Sequence, residues 1–142
     1  MGRVSAALLT ALALAACGDA GGGTRLAGRA TVTDGNTLRV ADQAVRLQGV
    51  AAPERSGPGR AAAAAFVREL VADREVTCDL VDGTRTRGRV VGVCRVGDRD
   101  IGAELIRAGL ARDCPRYSKG RYAVLETPAG RQLPLPGYCQ PR

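Results

Sequence analysis

The sequence predicts a mainly β domain of α+β type, a five-stranded barrel carrying about three helices. Two patterns in the 142 residues predict it. Apolar and polar residues alternate in short runs separated by turn residues, which is the period of a half-buried strand. Other segments repeat apolar residues every three to four positions, which is the period of a helix packed by one face.

The first strand runs from Leu26 to Thr33, the second from Thr37 to Ala41 and the third from Ala44 to Leu47. Asp34-Gly35 supplies a tight turn because Gly tolerates positive φ and Asp can follow it. Ala41-Asp42-Gln43-Ala44 is a weaker second turn. Alternation puts Arg39, Arg46 and Gln48 on the wetter side. Gly57-Pro58-Gly59 breaks the chain before a helix from Arg60 to Ala72, with Ala62, Phe66 and Leu70 flanked by Ala63, Val67 and Val71 on its apolar face. A fourth strand covers Glu75 to Leu80, Asp82-Gly83 turns the chain, and a fifth covers Gly88 to Val96. Asp100 caps a helix that ends at Ala108, with Gly109 as its stop. A last helix spans Lys119 to Thr127 and is cut by Pro128; the tail from Leu133 to Arg142 is extended. Strands and helices in this order suit a small barrel of OB type. Its core must be aliphatic, because the chain has one Phe, three Tyr and no Trp.

Residues 1–16 read as a signal peptide of lipoprotein type: Arg3, then an apolar run too short to span a membrane, ending Leu14-Ala15-Ala16-Cys17. Cys17 is then the lipidated first residue, and residues 17–25 form a flexible tether to a domain over 26–142. An ordinary secretory signal with an incidental Cys is the other reading. Either places the domain outside the cytoplasm, at the cell envelope. Four cysteines remain, Cys78, Cys94, Cys114 and Cys139, and an even count in an exported chain points to disulfides. Three pairings are possible. Cys78–Cys94, both in predicted strands, and Cys114–Cys139, clamping the tail, are favoured over a zinc site, which lacks any C-x-x-C pair.

The formal charge is +7, and Lys119 is the only lysine among 21 Lys and Arg residues. A basic exported domain suits nucleic acid or another polyanion; a coding bias toward Arg and Ala gives the same composition. The chain has no His. That rules out Ser–His and Cys–His catalysis and His-ligated metals within it.

The stretch from Asp34 to Glu54 carries a motif. It holds Asp34, Gly35, Thr37, Arg46, Leu47, Gly49, Pro53 and Glu54 at the spacing D-G-D-T … R-x-x-G-x-D-x-P-E. In this it resembles the thermonuclease family, also called staphylococcal-nuclease-like, across residues 26–139. The resemblance implies a barrel of OB type and nucleic-acid phosphodiester hydrolysis. By the same resemblance Arg46 and Arg89 bind the scissile phosphate and Glu54 aligns the attacking water. Arg suits that task because its planar fork pairs two phosphate oxygens. Asn36 and Ala51 stand where the family has the two carboxylates that hold calcium, and Asp34 belongs to the turn. Calcium is a hard ion that wants several oxygens. The expectation is therefore no metal and no cofactor, with calcium only if the chain is active. Arg85 and Arg87 stand where the family has Asp and Tyr. In an extended segment Arg85, Arg87 and Arg89 share one face, a polyanion cradle; a solvated basic loop is the bland alternative, as a structural ion pair is for Arg46 and Glu54.

The expected function is an exported, monomeric, lipid-anchored thermonuclease-like domain that binds polyanions, its calcium-dependent cleavage lost or reduced. An active phosphodiesterase with a weak or different metal and an envelope structural protein are the alternatives.

Overall fold

The computed structural model describes residues 23–54 and 56–142. The leader and Cys17 lie outside the described residues. The first strand, β1, spans Arg25–Asp34, and Leu80 N donates to Thr24 O. The first described strand thus starts at Arg25, inside the stretch read as a tether.

The chain continues with β2 (Thr37–Val40), β3 (Gln43–Leu47), β4 (Val50–Ala51), helix α1 (Arg60–Val71), β5 (Glu75–Thr86), β6 (Arg89–Val96), β7 (Arg99–Asp100), helix α2 (Ile101–Arg107) and β8 (Arg112–Asp113). Three short helical pieces follow: α3 (Pro115–Ser118), a 3₁₀ turn at Ala123–Leu125 and α4 (Pro128–Arg131). A second 3₁₀ turn, Gly137–Cys139, interrupts the tail read as extended. The main sheet has the order β3-β2-β1-β5-β6-β7, and a parallel pairing of β3 with β6 closes five of these strands into a ring. This is the OB-type barrel. The two-residue strands β4, β7 and β8 lie outside the ring and carry no alternation long enough to read.

Leu38, Val40, Val45, Leu47, Val76, Cys78 and Cys94 fill the ring and are almost wholly buried. Helix α1 packs against β1 and α2. Its buried centre is Ala63, Val67 and Leu70, while Ala62 is exposed and Phe66 sits at the rim. Ala63 meets the first turn closely: a Cβ on Gly35 would lie 2.7 Å from Ala63 Cβ. Asp100 caps α2 as read, its Oδ1 accepting from Ala103 N at 3.2 Å.

Two expectations fail in instructive places. Asp82-Gly83 does not turn the chain. Gly83 adopts φ +66 within a register irregularity of β5, and the strand runs on to Thr86. The turn is Arg87-Gly88, both with positive φ, which is the two-residue geometry matched to strand twist. No helix spans Lys119 to Thr127 either. Lys119 closes α3 in the left-handed conformation, and Pro128 starts α4 rather than cutting a helix, with Thr127 Oγ1 accepting from Gly130 N.

Two disulfides are formed. Cys78 and Cys94 are directly opposed on β5 and β6, with Cα atoms 4.0 Å apart. Cys114 and Cys139 join the start of α3 to the tail. Among the described residues no helix is long and apolar enough to cross a membrane.

Two glycines separate steric from conformational cost. Gly88 has φ +78 with open space around it, so Gly88→Ala is expected to cost only the roughly 1–2 kcal/mol of a left-handed residue. Gly49 has φ +71, and a Cβ there would lie 2.7 Å from Ser118 Cα. Gly49→Ala is expected to cost at least about 3 kcal/mol by urea denaturation, because backbone must move as well.

Tyr122 gives a pH test. Its hydroxyl donates to Asp100 Oδ2 at 2.9 Å, and burial, aided by the Asp100 carboxylate, pushes its phenol up to about 12. The folded value lies above the unfolded one near ~10. Its stabilisation is therefore whole below about pH 10 and lost as pH rises through about 12. Ultraviolet titration should show one tyrosine ionising that late; its absence in Tyr122→Phe makes the assignment.

Candidate functional site

The pairing that closes the barrel also builds the site. Arg46 on β3 stands beside Val91 on β6 and opposite Thr37 on β2. Partners in register share a face, and residues two apart on a strand do too. Arg46, Thr37 and Arg89 are thereby brought onto one outer face, the side that alternation assigned to Arg46. That side is not wet at Arg46. Arg39 is exposed as expected, but Arg46 is only 8% exposed, covered by Glu54 and by Tyr138 from the tail.

A hydrogen-bonded chain connects these residues. Arg89 Nη1 donates to Thr37 Oγ1 at 2.8 Å, and Thr37 Oγ1 donates to Asn36 Oδ1 at 3.3 Å. Asn36 Nδ2 donates to Glu54 Oε1 at 3.2 Å. Tyr138 OH donates to the same oxygen at 3.4 Å, and Arg46 Nη2 lies 3.8 Å from it. Arg46 Nη1 donates to its neighbour's carbonyl, Leu47 O, at 2.6 Å. Burial holds the Arg46 guanidinium below its ordinary range, and Tyr138 and Glu54 oppose that shift. A buried guanidinium with one good acceptor and one long ion pair is under-bonded, and an anion in the groove would complete it.

The groove around this chain measures about 1030 Å³. Arg46, Arg85, Arg87, Arg89, Arg116, Lys119 and Arg142 line it, and Glu54 is the only acidic side chain among the described residues that does. Arg85, Arg87 and Arg89 do not share a strand face, because the Arg87-Gly88 turn separates them. They straddle the tip of the β5–β6 hairpin and all three still reach the groove. Sequence reading missed Tyr117 and Tyr138, which are 46% and 43% exposed and line the same groove. Both sit beside a cysteine-linked segment rather than in the motif, so the groove has aromatic surface although Arg87 stands at the family's Tyr position.

The residues do not fit a calcium ion. Ala51 is buried in a small apolar cluster with Cys114, Cys139 and Leu135, and offers no ligand. Asn36 turns its amide nitrogen, not its oxygen, toward Glu54. Asp34 is held by Arg60, Nε to Oδ1 at 2.7 Å. Among the described residues no three Asp, Glu, Cys or His groups cluster as a metal would need.

Fold and site together define an OB-type barrel with an arginine-lined anion groove over the β3–β6 seam. Residues 44–128 match the family described as staphylococcal nuclease homologue. Over 139 residues the chain is 34% identical to "Succinoglycan biosynthesis protein ExoI" of Rhizobium meliloti (strain 1021), covering 89% of this chain and 71% of that one. The chain belongs to the staphylococcal-nuclease-like family.

Asn36 can be tested alone. Asn36→Asp would set a second carboxylate, 1% exposed, against Glu54. Burial and like charge raise the folded carboxyl pKa above the unfolded value of about 3.9. The folded state then binds the extra proton more tightly, so the variant loses stability relative to wild type as pH rises from about 4 to 8. Urea denaturation across that range should show a widening gap. A flat difference would mean Asn36 does not face Glu54.

Proposed function

We propose that this chain is a polyanion-binding member of the family whose groove takes a phosphodiester strand without calcium. One observation carries the reading: six of the ten described cations without a carboxylate partner, Arg85, Arg87, Arg89, Arg116, Lys119 and Arg142, line one groove, while Arg39, Arg68, Arg74 and Arg121 lie outside it. Arg25, Arg29, Arg60, Arg95, Arg99, Arg107, Arg112 and Arg131 each pair with a carboxylate elsewhere on the surface. Of the groove cations only Arg46 has such a partner among the described residues. Phosphates would supply the missing anions, with Arg46 and Arg89 at the floor and Arg85 and Arg87 at the hairpin rim. In this reading the signal peptide and Cys17 anchor the domain at the envelope, where an oxidising compartment suits its two disulfides.

A second reading rests on Glu54. Its two hydrogen-bond donors and its ion-pair partner Arg46 converge on Oε1, while the side chain remains 31% exposed in the groove. Oε2 could therefore align a water, and slow hydrolysis would follow without the cation that normally neutralises the leaving group.

The test is binding and cleavage of labelled single-stranded DNA, with calcium, manganese or chelator present. About five phosphate contacts predict an affinity drop of roughly 100-fold between 50 and 200 mM salt. Arg46→Ala and Arg89→Ala are expected to weaken binding and flatten that slope. Salt-independent binding, or none, overturns the proposal; calcium-dependent cleavage overturns its metal-free part. Cleavage that persists in chelator and vanishes in Glu54→Gln establishes the second reading. The relative's name ties that protein to succinoglycan biosynthesis, so succinoglycan belongs in the panel beside oligonucleotides.

A further inference from the structure

The tail beyond α4 touches the groove but is scarcely held by its own backbone. Its backbone hydrogen bonds are local, Leu133 N to Gly130 O, Cys139 N to Pro136 O and Gln140 N to Gly137 O. Arg112 Nη1 ties down its first residue through Leu133 O at 3.2 Å, and Tyr138 reaches Glu54. The strong tether is the Cys114–Cys139 bond, whose cysteines are 1% and 0% exposed. Tyr138 is the neighbour of Cys139, and Pro141 and Arg142 also line the groove. On the other side of the bond Cys114 opens α3, which brings Arg116 and Tyr117 to it.

We propose that residues 133–142 are a clasped strap forming a working wall of the binding groove, with Tyr138 and Arg142 as its ligand-contacting residues. The ligand class rests on the polyanion reading above; the strap itself does not. The clasp fits because residue 51 is alanine: the disulfide packs on Ala51, and a carboxylate there would be buried against sulfur. The strap thus occupies the side of the site that faces position 51. A wall built this way adds one guanidinium and one exposed aromatic face, and stacking on such a face favours unpaired bases.

The experiment compares the full chain with Cys114→Ser/Cys139→Ser, Arg142→Gln and Tyr138→Ala. Hydrogen exchange is read over 133–142 and 46–54, and oligonucleotide affinity is read against salt. Opening the clasp should leave the barrel's exchange pattern intact, raise exchange in both segments and weaken single-strand binding about 10-fold. With the clasp intact, Arg142→Gln should lower the slope of log affinity against log salt by about 0.7, one phosphate contact. Tyr138→Ala should weaken single-strand binding more than duplex binding. Unchanged exchange at 46–54 with the clasp opened overturns the wall, even if wild type binds no oligonucleotide. Should the serine pair fail to fold, unchanged slope and affinity in both single variants overturn it instead. Wild type that binds nothing while exchange rises at 46–54 upholds the strap and refutes only the polyanion ligand.

Discussion

The bond from Asn36 Nδ2 to Glu54 Oε1 decides what kind of site this is. A carboxylate at position 36 would repel Glu54 and invite a cation between them. An amide instead donates to Glu54 and holds it. Asn36 is buried, so this exchange occurs where charges are weakly screened and a single donor counts. Its other end accepts from Thr37, which accepts from Arg89, so orienting the amide also fixes a groove arginine. The polar chain is closed by protein groups, and among the described residues the groove is left with one acidic side chain, already engaged on Oε1.

From that follows the electrostatic asymmetry of the surface. Exposed ion pairs such as Arg29–Asp73 contribute little to stability, because water and salt screen both partners. They matter for where charge is not. Among the described residues these pairs offset eight guanidiniums outside the groove, and six unpaired cations gather along one concavity while Arg39, Arg68, Arg74 and Arg121 stay unpaired elsewhere. Steering a polyanion to one face needs that concentration more than it needs net charge.

Much of the barrel was legible because its signals are local. Alternation in β1 and β2 and the Asp100 cap each follow from short-range rules. The seam between β3 and β6 is not local, since nothing in either strand names its partner; yet that seam is what sets Arg46 beside Arg89. Two glycines lie between the halves of β5–β6, and the sequence reads only Asp82-Gly83 as a turn, with Gly88 starting the next strand. Arg87-Gly88 makes the turn because both its residues take positive φ, the geometry that strand twist favours, while Gly83 was absorbed as an irregularity. Tyr138 was illegible for a different reason. It reaches Glu54 across 84 residues through a tail without periodicity, held there by a disulfide whose pairing sequence could favour but not fix.

The site is therefore assembled from parts of unequal rigidity. Its floor, Arg46, Thr37 and Arg89, is carried on three strands of a closed ring, where shifting one side chain means breaking a ladder. Its walls are a hairpin tip that prolongs two ring strands, a one-turn helix and a tail, the last two lying outside the ring. Such a division lets the walls vary while the floor keeps its guanidiniums in place. Position 51 shows the two layers meeting. Ala51 lies on β4, paired with β8 just before Cys114, so the residue that would have served a metal at the floor serves a wall instead. Restoring an aspartate there would do more than add a ligand: it would set a charge against the clasp, and the wall would have to give way before the metal could be held.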